Sequence, residues 1–267
     1  MTDILEAMRE RRSCRTYTGA PLSAQAVDRL TGAVKEADNP FGAEVTVRLL
    51  TVASGEFRPS AYGVIKNAPA YFLIACGSDS KSMMGAGFVF EQIVLEATRE
   101  GLSTCWIGGT FKGASFAEGE EWPDGAQLVA VSPVGLPASP RPMEKFARIA
   151  FGSNRRKPFG ELFFDGNASK PLARDSKFGE SLEMVRLAPS STNSQPWRAI
   201  VCGDTVHFYY IRKSRLSVLD GGIGLCHFWL AEKSRGHDVR FFNSDARPAA
   251  PAAWTYLVSC RRTTSSE

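Results

Sequence analysis

The sequence predicts an α+β fold in which helices and strands alternate irregularly. Of its 267 residues, 43% are hydrophobic and 22% are charged, a composition typical of a globular protein with a sizeable core. Residues 197–202 and 205–211 are rich in β-branched and aromatic side chains and predict two strands. Gly203-Asp204 between them is a hairpin signal, which opposes a purely parallel sheet.

The remaining elements follow from periodicity and end signals. Apolar residues at helical spacing predict helices over residues 4–8, after Ser23 as N-cap, over 88–97 before Gly101, over 178–187, and over 223–231 with Asp220 as cap. Further strands are predicted over residues 44–53, 69–77, 128–134, 239–242 and 254–258.

A polar stretch with Gly166 and Pro171, residues 165–177, is the best candidate for a linker. It predicts a front part, residues 1–164, and a back part, residues 178–267. Each part has the order helix, loop, strand, strand, long apolar helix, strand. This shared order indicates an internal duplication.

Composition limits the function classes. The net charge of +4 is mild and the basic residues are interleaved with acids, so we expect no nucleic-acid partner. We also expect no membrane span, because no apolar run is long enough, and a cytoplasmic location, because the N-terminus lacks a secretory apolar core. The six cysteines show no CxxC pair and predict free thiols.

Two segments of the front part could bind an anion or a planar ring. Arg11, Arg12 and Arg15 surround Ser13 just past a predicted helix, and guanidinium and hydroxyl groups bind phosphate well. A solvated basic helix end is the alternative. Residues 101–109 form a turn, a short apolar run and the pair Gly108-Gly109. Paired glycines let backbone amides approach a ligand, although a simple turn explains them equally well.

Two later segments add to this set. Arg155 and Arg156 begin a second basic cluster, for which a solvated surface is the alternative interpretation. Residues 188–198 are stiffened by two prolines and offer many donors and acceptors on short side chains, which suits a planar ligand with polar edges. The three histidines show no metal-ligand spacing, and the serines of this loop lack the context of a nucleophile elbow.

Together, residues 11–17, 101–109, 155–158 and above all 189–197 resemble the nitroreductase family, whose members bind flavin mononucleotide (FMN) at the interface of a homodimer. The resemblance implies a nitroreductase-like fold with antiparallel-rich sheets. It implies basic residues at the phosphate and ring edge, a glycine turn facing the ring, and a loop from the other subunit. The corresponding residues here are Arg11, Arg12, Ser13 and Arg15, then Gly108 and Gly109, then Arg155 and Arg156, and for the loop Pro189, Ser190, Ser191 and Asn193.

The order of these segments departs from the family. An ordinary member carries the loop shortly after the arginines in one domain, whereas here Ser190 follows Arg15 by about 175 residues. The chain therefore resembles the tandem nitroreductases, and we expect two related αβ halves fused as an intramolecular pseudo-dimer with one FMN site. The predicted state is a monomer or a weak homodimer.

The resemblance implies an NAD(P)H-dependent oxidoreductase that passes a hydride from NADH or NADPH to FMN and then to a small flat acceptor such as a nitroaromatic or a quinone. No catalytic side chain is predicted. The alternatives are a non-catalytic FMN-binding protein, such as a sensor or flavin reservoir, and an interaction protein with a dead flavin site.

Overall fold

The computed structural model describes residues 2–52, 64–109, 111, 121–139 and 155–263. The elements of the front half are α1 (Ile4–Glu10), α2 (Ala24–Glu36), β1 (Val45–Thr51), β2 (Ala70–Cys76), α3 (Ser80–Arg99), β3 (Ser103–Thr104) and β4 (Gln127–Gly135). Those of the back half are β5 (Phe163–Asp165), α4 (Gly179–Leu187), β6 (Trp197–Cys202), β7 (Thr205–Ile211), α5 (Ser217–Ser234), β8 (Asp238–Phe242) and β9 (Trp254–Thr263). Single 3₁₀ turns cover Phe159–Glu161 and Ser191–Asn193.

The strands form two sheets of matching topology. The first has the order β1-β2-β4-β3 and the second the order β5-β6-β7-β9-β8. All pairs are antiparallel except β5 with β6. Without β5, the second sheet repeats the first, and α2 and α3 occupy the same places in the chain order as α4 and α5. The predicted mix of helices and antiparallel-rich sheets is confirmed.

The two long helices α3 and α5 pack against each other at the centre of the molecule. A Cβ added to Gly87 would lie 2.1 Å from the Leu219 carbonyl oxygen, and one added to Gly222 would lie 1.9 Å from that of Met84. The contact is reciprocal, since each glycine meets the carbonyl three residues before the other glycine. Only glycine permits this backbone approach, and one apolar core extends from both helices to both sheets.

The predicted linker needs a correction. Phe163 pairs with Ala199 in β6, so the second sheet begins before residue 165. The Leu172 N–H donates to the Phe163 carbonyl at 2.9 Å, and the Leu172 side chain is buried. Residues 165–172 are therefore a turn packed on the edge of the second sheet. Sequence patterns missed it because a three-residue parallel strand depends on a distant partner.

The predicted cap of α5 is also wrong. The helix begins at Ser217, whose hydroxyl accepts hydrogen bonds from the N–H groups of Lys213 and Ser214 at 2.9 and 3.0 Å. Asp220 consequently lies inside the first turn and is buried. By contrast, Ser23 caps α2 as predicted, with its Oγ accepting from the Ala26 N–H at 3.1 Å.

All six cysteines are free, as predicted, and five of them are buried. None of the helices in the described ranges combines the length and apolar character that crossing a bilayer requires.

Candidate cofactor site

The Arg11–Arg15 segment lies beside the glycine-containing turn of the front half. Arg11 ends α1, and its N–H donates to the Ala7 carbonyl at 2.8 Å. Two residues later the chain runs parallel to β3, where the Cys14 N–H donates to the Thr104 carbonyl at 2.9 Å and Ser13 forms a bridge with Thr104. Two segments that are some ninety residues apart in sequence are thereby joined.

Arg11 is a buried cation. Only 6% of the residue is exposed, and within the described structure its Nε has no hydrogen-bond partner. Burial lowers the pKa of its guanidinium group, whereas nearby Glu91 and Cys105 act in the opposite direction. A buried charge with an unsatisfied donor is costly unless an anion meets it.

The second basic cluster holds the proline-flanked loop. Arg156 donates from Nη1 to Asn193 Oδ1 at 3.2 Å and from Nη2 to the Leu187 carbonyl at 3.1 Å. Asn193 Nδ2 donates in return to the Arg155 carbonyl at 2.9 Å. The Lys157 N–H donates to Gln195 Oε1 at 2.8 Å. Residues 155–157 and 187–195 therefore form one hydrogen-bonded unit.

Arg156 also faces the arginines of the front segment. Its pKa is lowered to about 10, mainly by burial and to a lesser extent by the positive charges of Arg11, Arg12 and Arg186. Arg12 is exposed and donates to the carbonyls of Arg9 and Arg11 at 2.6 and 2.8 Å. The positive charges of Arg11, Arg12 and Arg156 repel one another, and together they create a positive potential that favours an anion.

The loop itself is strained. Thr192, Asn193 and Gln195 have φ angles of 50°, 54° and 47°, in the left-handed region that non-glycine residues rarely adopt. The Ser190 hydroxyl accepts from the Gln195 N–H at 2.9 Å and Pro189 is buried. Such strain persists only where surrounding contacts enforce it, and it concentrates at functional sites.

Asp220 anchors this loop to α5. Its Oδ1 accepts from the Ser191 N–H at 2.9 Å, while Oδ2 is buried and, within the described structure, has no hydrogen-bond partner. Burial raises the pKa of this carboxyl group to about 7, and hydrogen bonds from Ser191 and Ser194 oppose the shift. Asp220 was not predicted as a site residue. An acid beside three glycines in an otherwise apolar stretch is the signal that could have found it.

The glycine turn connects the site to the back half. A Cβ on Gly108 would lie 2.6 Å from Leu216 Cδ1, just before α5, whereas Gly109 is exposed and a Cβ there would meet none of the described residues within 4 Å. Trp106 Nε1 donates to Glu91 Oε2 at 2.7 Å. Glu91 is fully buried in α3 and also bonds His227 Nε2 at 2.9 Å. Its signal in the sequence is an acid within an apolar helix.

The structure brings most of the predicted residues into one region between the halves. Direct contacts and electrostatic interactions connect Arg11, Arg12, Arg155, Arg156, Ser190, Ser191 and Asn193. Pro189 directly precedes Ser190 in the back loop. Ser13 and Gly108 lie on the adjoining backbone. The Arg15 carbonyl accepts from the Lys66 N–H at 2.9 Å. No cluster of three or more His, Cys, Asp or Glu side chains suited to a metal occurs within the described residues.

Fold and site thus define a mixed helix-and-sheet protein with a cationic site where its two halves meet. Residues 3–232 match the family model described as "Putative TM nitroreductase". Because this match spans most of the chain, the protein belongs to that nitroreductase family of oxidoreductases.

The chain is also similar to several solved structures. A protein from Thermotoga maritima MSB8, described as a "putative nitroreductase", has 18% identity and a TM-score of 0.62 over 97% of this chain and 93% of its own. A protein from Desulfovibrio desulfuricans with the same description, in complex with FMN, has 20% identity and a TM-score of 0.42 over 55% of this chain and 95% of its own. An FMN-dependent nitroreductase from Clostridium difficile R20291 has 17% identity and a TM-score of 0.41 over 51% and 88%. The comparison with curated proteins gave no match.

Proposed function

We propose that the protein is an FMN-dependent oxidoreductase that takes a hydride from NADH or NADPH and reduces a small flat acceptor such as a nitroaromatic or a quinone. One observation carries the proposal. Arg11, Arg12 and Arg156 converge beside the strained loop in a chain that belongs to a nitroreductase family.

The residues present fit a flavin phosphate. Arg11 is buried, its Nε has no hydrogen-bond partner among the residues that the structure describes, and the neighbouring guanidinium groups repel one another. A phosphate carries about −1.5 to −2 charge near neutral pH and accepts several hydrogen bonds. It would satisfy the Arg11 donor and relieve the repulsion, and planar guanidinium groups match its geometry.

Each segment has a separate task in this proposal. The arginines would hold the phosphate, with Ser13 adding a hydroxyl, and Gly108 and Gly109 would let backbone approach the ring. Pro189, Ser190, Ser191 and Asn193 would meet the ring from the back half. Bound FMN supplies the hydride chemistry, whereas the protein supplies binding, orientation and electrostatics. An arginine that reached the ring edge as well as the phosphate would add positive charge that favours the reduced, anionic form of the ring.

We also propose that the chain is an intramolecular pseudo-dimer with one FMN site, and that it needs no second copy to complete that site. The repeated sheet order and the reciprocal contact of Gly87 and Gly222 support a two-fold relation between the halves. The site would take its arginines from residues 11–12 and 156 and its loop from the back half.

The experiment is reconstitution of the purified protein with FMN, followed by steady-state oxidation of NADH and NADPH with menadione as acceptor. Bound flavin with menadione-dependent turnover supports the proposal. Bound flavin without turnover over several quinones and nitroaromatics favours the non-catalytic alternative. A protein that neither retains FMN nor is stabilised by it against heat contradicts both.

A further inference from the structure

A second cavity lies where the front loop after α2 meets the second sheet. Its volume is about 400 Å³, within the range of pockets for small organic ligands. The walls come from the front loop at Pro40 and Phe41, the first turns of α3, Val218 in α5, and strands β7, β8 and β9. None of the residues predicted for the cofactor site lines it.

The position of this cavity in the topology mirrors that of the cofactor site. Residues 37–44 join α2 to β1 as residues 188–196 join α4 to β6. Residues 242–243, at the end of β8, occupy the place that residues 105–109 occupy after β3. Counted back from the reciprocal contact, in which Met84 corresponds to Leu219, Lys81 in the first turn of α3 corresponds to Leu216, which precedes α5 and contacts Gly108 in the cofactor site. The cavity is therefore the counterpart of that site on the other side of the α3–α5 pair.

Its chemistry is different. Lys81 is the single cation in the described lining, which holds no Arg, Asp or Glu. Its Nζ lies 3.8 Å from the point that a Cβ added to Gly42 would occupy. The ammonium group is therefore beside the front loop, at an exposed position. One exposed lysine is a poor match for a phosphomonoester, whereas three arginines surround the cofactor site.

The apolar walls favour a flat ring. Phe41 and Phe241 both line the cavity and contact each other edge-on, with centroids 5.4 Å apart and an angle of 67° between the planes. Tyr210 and Tyr256 add two more half-buried rings. Edge-to-face and offset contacts with such rings are favourable for a planar aromatic ligand.

We propose that this cavity binds a planar aromatic monoanion, with the ring packed against Phe41 and Phe241 and the carboxylate near Lys81. The molecule would then hold two different ligands at two related positions, a flavin in one and an aromatic acid in the other. The inference concerns the second cavity alone and does not depend on whether the first site turns over.

The test is calorimetric titration of the FMN-loaded protein with 2-naphthoate and with its uncharged analogue 2-naphthamide. If the protein binds no FMN, the same titration uses it as purified, so this proposal can fail or hold independently of the flavin proposal. We expect saturable binding of naphthoate. Lys81→Met should weaken naphthoate by roughly three- to tenfold, as an exposed ion pair allows, and leave naphthamide within about twofold.

Two further variants locate the binding. Lys170→Met removes an exposed lysine that pairs with Asp165 at the end of β5, the sheet edge opposite to β8. It should leave both affinities unchanged. Thr255→Trp fills the cavity from an exposed strand position and should abolish binding of both probes while the thermal midpoint of unfolding is retained.

Several results would overturn the proposal. These are no naphthoate binding at millimolar concentration, binding that neither Lys81→Met nor a folded Thr255→Trp changes, and naphthoate binding only by displacement of FMN. A second FMN per chain whose binding depends on Lys81 would also overturn it, because the cavity would then be a flavin site.

Discussion

The loops at residues 188–196 and 37–44 occupy matching places in the two halves but differ in their contacts. Asn193 in the back loop accepts from Gln195 Nε2 at 3.2 Å within the loop and also bonds outside it, to Arg156 and to the Arg155 carbonyl. Asn39 in the front loop bonds inward: its Oδ1 accepts from the N–H groups of Phe41 and Ala43 at 3.2 and 3.1 Å, and its Nδ2 donates to the Ala43 carbonyl at 2.9 Å.

Topology places two clefts, the cofactor site and the apolar cavity, at related positions. Side chains brought by other segments decide what each cleft can hold. The back loop is strained and lies beside clustered arginines. In the front loop, Asn39 bonds within the loop and Phe41 lines an apolar cavity. Two clefts of related position are thus suited to ligands of different charge.

Loss of Arg11 should distinguish the two clefts most clearly, because only one of them is proposed to bind FMN. Arg11→Ala should weaken FMN binding by roughly 10- to 100-fold, because it removes a charge-assisted contact in a buried setting. Flavin fluorescence titration measures this. Lys81→Met, at the counterpart cavity, serves as the control and should leave FMN affinity unchanged. Equal losses in the two variants would break the comparison.

Loss of the close helix contact tests the relation between the halves. Gly87→Ala should lower the free energy of unfolding by about 1–3 kcal/mol, because its Cβ meets the backbone of α5. The matched control is Gly32→Ala in α2, where a Cβ meets no atom of the described residues within 4 Å and a gain of about 0.5–1 kcal/mol is expected. Urea titration reports both. A neutral Gly87→Ala would contradict the tight crossing of α3 and α5.

Asp220 should make the back loop sensitive to pH. Its pKa is raised to about 7 in the folded protein, so the folded state binds an additional proton below that pH and loses it above. The stability that the protonated Asp220 carboxyl group contributes is therefore fully present below pH 4 and is lost as pH rises through about 7. Between pH 5 and 8 the FMN-free protein should lose roughly 1–3 kcal/mol that Asp220→Asn does not lose.

The control for that series is Asp204→Asn. Asp204 is exposed and bonded to Lys177, which lowers the pKa of its carboxyl group, so its effect falls below pH 4. Its stability profile from pH 5 to 8 should follow that of the unaltered protein. Identical slopes for the Asp220→Asn variant and the unaltered protein would contradict the role given to Asp220.

The smallest effect concerns backbone strain in the back loop. Thr192→Gly should raise the free energy of unfolding by about 0.5–1 kcal/mol, because glycine adopts positive φ without the penalty of a β-branched side chain. Ser190→Gly, at a φ of −149°, gains no such relief and should be neutral or destabilising. A destabilised Thr192→Gly variant, measured by urea titration, would show that the loop is not strained at this position.

The sequence was informative where local signals decide structure. The hairpin of β6 and β7 has the predicted bounds, because Gly203 adopts the positive φ of 57° that its turn requires. Strand β5 was missed because its pairing is non-local. The start of α5 was placed too late, because the turn before Ser217 carries no strong helix signal.

The site was predictable only as separate sequence segments. No spacing rule places Arg156 beside Arg11, since tertiary packing alone brings them together, and the family resemblance supplied that expectation. Asp220 and Glu91 became candidates only through burial and hydrogen bonding. Whether the predicted residues bind a cofactor stays a prediction that the variants above can test.

The ratio of bound FMN to polypeptide tests the difference between the clefts most directly. Protein saturated with FMN, freed of excess flavin and quantified by flavin absorbance against amino-acid analysis should hold one FMN per chain. Arg11→Ala should reduce that ratio and Lys81→Met should not. A ratio of two, with one equivalent lost in each variant, would mean that both clefts are flavin sites and would contradict the account.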